Sequence, residues 1–89
     1  MPEYLFREYC EKWIVRYVNS ICDKTDGVQI TKDDVFVVWM CKTLQNNKAL
    51  LSTKLPDGMY YEFTCDGDKG KIYVDVYKKW LNVAENYAI

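Results

Sequence analysis

Met59-Tyr60-Tyr61-Glu62-Phe63-Thr64-Cys65-Asp66-Gly67-Asp68-Lys69-Gly70-Lys71-Ile72-Tyr73-Val74-Asp75-Val76-Tyr77 contains two alternating runs separated by a Gly- and Asp-rich turn. In an extended chain successive side chains point to opposite faces, so period-two patterning marks a strand with two unlike surfaces. Met59, Tyr61, Phe63 and Cys65 go one way, and Tyr60, Glu62 and Thr64 the other. Ile72, Val74 and Val76 oppose Tyr73, Asp75 and Tyr77 in the same manner. The short turn between the runs makes them antiparallel neighbours.

Working outward, Pro56-Asp57-Gly58 is another turn, because Pro presets φ and Gly tolerates positive φ. Before it, Lys48 to Leu55 reads as a strand and Gln45-Asn46-Asn47 as a polar turn. The β-branched and aromatic run Val35-Phe36-Val37-Val38-Trp39-Met40-Cys41 has no alternation, which predicts a strand covered on both faces for much of its length. Thr31 followed by Asp33-Asp34 resembles a capping device.

Residues 4–22 change period. Phe6, Cys10, Trp13, Ile14, Tyr17 and Ile21 recur at three and four, which places them on one side of a helix. Pro2 and Glu3 suit its start and Asp23-Lys24-Thr25-Asp26-Gly27 its end. The expected fold is therefore α+β, one domain over residues 1–89: an N-terminal amphipathic helix packed on a four-stranded antiparallel meander. Tyr77, Trp80, Leu81 and Ala84 have helical spacing, which predicts a short helical tail after a strand ending near Tyr77.

Composition narrows function. The 89 residues hold 49% hydrophobic side chains, enough for one core and too few residues for two. Twelve basic against 13 acidic residues give a net charge of -1, which argues against a generally basic nucleic-acid coat. There is no His, hence no imidazole base, no Ser-His-Asp arrangement and no imidazole metal ligand. No phosphate-cradling Gly-rich motif is present, and Asp66-Gly67-Asp68-Lys69-Gly70 lacks the further acids of a calcium loop. Cys10, Cys22, Cys41 and Cys65 allow three disulfide connectivities, but no two form a Cys-x-x-Cys pair. Reduced thiols are the expectation, with Cys10 and Cys41 on apolar faces. No catalytic residue, cofactor or metal is expected. Early charges argue against a signal peptide and no segment reaches membrane-spanning length, so the expected location is the cytoplasm.

Two surfaces then stand out. Lys42, Lys48 and Lys54 lie on a stretch without acids, tipped by Gln45, Asn46 and Asn47, all potential donors to phosphate or carbonyl groups. Tyr60, Tyr73 and Tyr77 share the sheet face opposite the helix, where they suit a protein interface or base stacking. A solvated hairpin and cross-strand aromatic pairs are the plainer readings of the same residues. A protein partner is the leading expectation, with a homodimer as one form of it. Nucleic acid or nucleotide is the alternative.

The stretches 34–53, 57–64, 67–69 and 72–80 resemble a family of small proteins of unknown function encoded by phages and prophages of Gram-positive bacteria. The resemblance covers Asp23 to Trp80. It implies no catalytic residue. It does imply an accessory role in a bacterial host cell, through binding of a host or phage protein involved in defence, replication or expression.

Overall fold

A computed structural model describes residues 1–21 and 29–87. Helix α1 spans Glu3–Ile21, and the strands are β1 (Val35–Thr43), β2 (Asn46–Thr53), β3 (Met59–Asp66) and β4 (Lys71–Lys78). The strands pair antiparallel in chain order, β1-β2-β3-β4, as a meander. The helix packs on one face of it, which is the α+β arrangement expected from periodicity.

Helix α1 starts where Pro2, having no N–H of its own, lends its carbonyl to the Phe6 N–H at 3.1 Å. Its buried stripe is Phe6, Cys10, Ile14 and Val18. Trp13 and Tyr17 are half-buried at its side: Trp13 meets Phe63 edge-on at 5.6 Å, and Tyr17 meets Tyr61 at 6.1 Å. Ile21, expected in the core, is exposed, and Val18 replaces it there. The reason is geometric, since a straight helix crossing a twisted sheet keeps contact along the narrow Phe6–Cys10–Ile14–Val18 row.

The core is completed from the sheet by Val35, Ala49, Leu51, Tyr61, Phe63 and Cys65, with Ile30 closing one end. Asn19 holds that end, its side chain donating to the Ile30 carbonyl and accepting from the Ile30 N–H at 3.0 and 2.9 Å. Thr31 caps the 3₁₀ turn Lys32–Asp34 as a capping box, with the Thr31 N–H donating to the Asp34 carboxylate. The turn expected at Asp23–Gly27 and the thiol of Cys22 lie outside the described residues.

Three other expectations are corrected. The β1–β2 turn is Leu44-Gln45, with Asn46 and Asn47 already in β2. Residues 79–87 carry no regular secondary structure, so the tail is not helical. Tyr77 is committed to β4 opposite Tyr60, and the apolar residues left behind it are too few to nucleate a helix without a surface to pack on. Finally, β1 is covered on one face only. It is an edge strand, and Phe36, Val38 and Trp39 are exposed. The molecule is 19 Å across its thinnest direction, the depth of one helix on one sheet, so no layer of the described residues covers the far face.

Candidate protein-interaction face

The far face is built by register. Phe36, Ser52, Tyr60 and Tyr77 form one cross-strand row, and Cys41, Lys48, Thr64 and Tyr73 another. Between them lie Trp39, Leu50, Glu62 and Asp75. Trp39 reaches this face because of a β-bulge between Val37 and Trp39. A bulge sets two residues against one and inverts the parity of everything beyond it. Val35 and Val37 therefore face the helix, while Trp39 and Cys41 face away.

The aromatic side chains of this face remain in water. Phe36 is 44% exposed, Trp39 41%, Tyr73 46% and Tyr77 51%. Tyr60 is half-buried, with the Lys79 ammonium 5.6 Å from its ring centroid. At the centre, Glu62 and Asp75 are direct cross-strand partners. Like charges so placed repel and weaken the sheet locally. Asp75 first, then Glu62, hold the Tyr77 phenol above its ordinary value, because a phenolate would add a third negative charge beside them.

At the end of the face nearest the β1–β2 and β3–β4 turns lies a recess of about 290 Å³ lined by Cys41, Thr43, Asn46, Lys48, Thr64 and Asp66. Its rim is pinned where the Gly67 N–H donates to the Asn46 side chain at 3.1 Å. Asp66 accepts from the N–H groups of Asp68 and Lys69, which fixes the β3–β4 turn as a hairpin turn. Cys41 is exposed here, contrary to its expected place on an apolar core face, because the bulge turned it outward.

The structure brings Tyr60, Tyr73 and Tyr77 together and separates the lysines. Lys48 is on the open face, Lys42 pairs with Asn47 in a row that faces the helix, and Lys54 follows β2 at its other end. Gln45 and Asn46 are exposed at the turn. Asn47 is not at a surface tip: it is fully buried, and neither its amide nitrogen nor its oxygen has a partner among the described residues. Sequence reasoning missed Phe36 and Trp39, since an unbroken apolar run gives no parity and the bulge has no signature of its own.

Among the described residues no group of three or more His, Cys, Asp or Glu could hold a metal ion. Nor is any helix long and apolar enough to cross a membrane. The Cys10 thiol is pushed up to about 12 by burial, the opposite of what a nucleophile needs.

Over 84 residues the chain is 31% identical to a linear primary-alkylsulfatase of Pseudomonas sp, a match that takes in 88% of this chain and 12% of that protein. The chain therefore spans about an eighth of the length of the curated relative it matches. No solved structure matches. The family model described as "Family of unknown function (DUF6275)" matches residues 7–87, nearly the whole helix-and-meander unit, and the chain belongs to that family.

Proposed function

We propose that the protein is a small non-enzymatic binding module that docks a protein partner on the open face of its sheet. The observation that carries this reading is the aromatic quartet Phe36, Trp39, Tyr73 and Tyr77, left in water around the Glu62–Asp75 pair. Aromatic side chains supply large contact area at low entropic cost and are enriched where proteins meet. The resemblance to phage and prophage proteins adds a setting: the cytoplasm of a bacterial host, with a host or phage protein of defence, replication or expression as the partner. The matched alkylsulfatase segment is too small a share of that enzyme to bring its reaction here.

The nucleic-acid alternative is weaker on two counts. Its three lysines are dispersed over both sides and both ends of β2, and its tyrosines flank two carboxylates that repel phosphate. The experiment is affinity purification of tagged wild-type chain beside a Trp39→Ala/Tyr77→Ala variant from the same bacterial lysate. A protein that co-elutes with the wild type and is lost from the variant is the expected result. Equal capture by both would remove the face from the reading, and binding of labelled single-stranded DNA at low salt would favour the alternative.

A further inference from the structure

We infer that one occupant of the open face is a second copy of this chain, with Trp80 of each copy seated in the recess of the other. The inference rests on the reading of the sheet face as a docking surface and names its partner.

The tail is the starting point. Trp80 is 97% exposed, and Leu81, Val83 and Tyr87 beyond it are also exposed. Contiguous apolar side chains left in water mark an interaction segment. The family match runs through residue 87, so it takes in this segment with the sheet.

Trp80 cannot reach its own recess. The root of the tail is fixed at the β2–β3 end of the sheet, where the Lys79 N–H donates to the Gly58 carbonyl at 2.7 Å and the Lys79 ammonium lies over Tyr60. The recess begins at Thr64, five residues further along β3, a distance of ~17 Å. Trp80 is one residue past the anchor, which moves its Cα only ~3.8 Å. Anchor and recess thus sit at opposite ends of one face.

A second copy solves this geometry. Rotation by 180° about an axis lying between two apposed faces, and perpendicular to the strands, sets the tail end of each sheet against the recess end of the other. Both Trp80 side chains then meet a recess, and the assembly closes with nothing left over. Charge agrees with this placement. Lys79 precedes Trp80, while the opposing recess carries Asp66, and the Glu62–Asp75 row comes to lie near the partner's Lys48.

Area agrees too. Four strands spaced ~4.8 Å apart and eight residues long at ~3.4 Å each present a face of ~500 Å². Two such faces reach only ~1,000 Å², at the lower limit of a specific interface, so the two tails are needed to bring it into the stable range.

The test uses the full chain, by light scattering coupled to size exclusion and by sedimentation over a concentration series. The expected species has twice the 10.6 kDa chain mass at high concentration. Trp80→Ala, and separately Thr64→Trp to fill the recess, should each raise the dimer dissociation constant at least tenfold, with far-UV circular dichroism unchanged. An equimolar mixture of the two variants retains one intact Trp80 and one open recess, and should recover a heterodimer. A monomer at every concentration, or a dimer indifferent to both substitutions, overturns the inference. The docking-face reading fails separately, if Trp39→Ala/Tyr77→Ala leaves capture of a different protein unchanged.

Discussion

Asn47→Leu should make this protein more stable. The Asn47 side chain is 0% exposed and sits in the helix-facing row between Lys42 and Cys65. Neither amide atom has a hydrogen-bond partner among the described residues. A buried polar group left unpaired costs ~1–3 kcal/mol, because it gives up hydrogen bonds to water without replacement. Leu has the same γ-branched shape and similar size, and its β-propensity is higher. Replacing donor and acceptor together removes the penalty without opening a cavity, so we expect a gain of ~1–3 kcal/mol. For a domain of this length each kcal/mol raises Tm by ~4–8 °C. The assay is urea unfolding followed by tryptophan fluorescence. The midpoint should rise with the slope unchanged, since an altered slope would report a different unfolded or native compactness. A loss of more than ~1 kcal/mol would refute the reasoning, because such losses arise when a satisfied buried polar group is removed. Asn47→Ala is the internal control: it removes the same penalty but leaves a void, so it should fall below Asn47→Leu.

Three further outcomes follow from the same structure. Gly67→Ala should destabilise by ~1–3 kcal/mol by overpacking, since a Cβ there would collide with the Gln45 carbonyl oxygen where the two hairpin turns meet; equilibrium unfolding measures it, and a neutral result would show that the turns separate freely. Burial raises the Cys10 thiol from 9.0 to about 12, so the unfolded chain ionises first as pH climbs, and stability should fall progressively above pH 9. In a Cys22→Ser background, native alkylation at pH 8 should label exposed Cys41 and spare buried Cys10 and Cys65; equal labelling of all three would contradict the packing of α1 on the sheet.

Much of this architecture is legible in local pattern. The three- and four-residue spacing of Phe6, Cys10 and Ile14 makes a helix with one apolar stripe whatever it packs against. Alternation in 59–65 and 72–77 assigns Tyr61, Phe63, Val74 and Val76 to the core and Tyr60, Tyr73 and Tyr77 to the other face, as the register shows. Turn chemistry at Asp57-Gly58 and Asp66-Gly70 sets the antiparallel order, and Thr31 with Asp34 forms the predicted cap. Each of these features is decided by residues within a few positions of one another.

The candidate face needed the tertiary structure because it depends on pairings distant in sequence. A bulge is a mismatch between two strands, so no property of 35–41 alone reveals that Trp39 and Cys41 turn away from the helix. The β1–β2 register likewise carries Asn47 into the core and sends Lys42 and Lys48 to opposite sides, dissolving a basic hairpin that spacing suggested. The tail's helical period gave way once Tyr77 was held in β4. By itself the sequence determined that one helix must cover one face of a four-stranded meander, because periodicity dictates which side chains need burial. Only the tertiary structure decided what occupies the uncovered face, because register and bulge, not composition, bring Phe36, Trp39, Tyr60, Tyr73 and Tyr77 around a pair of carboxylates.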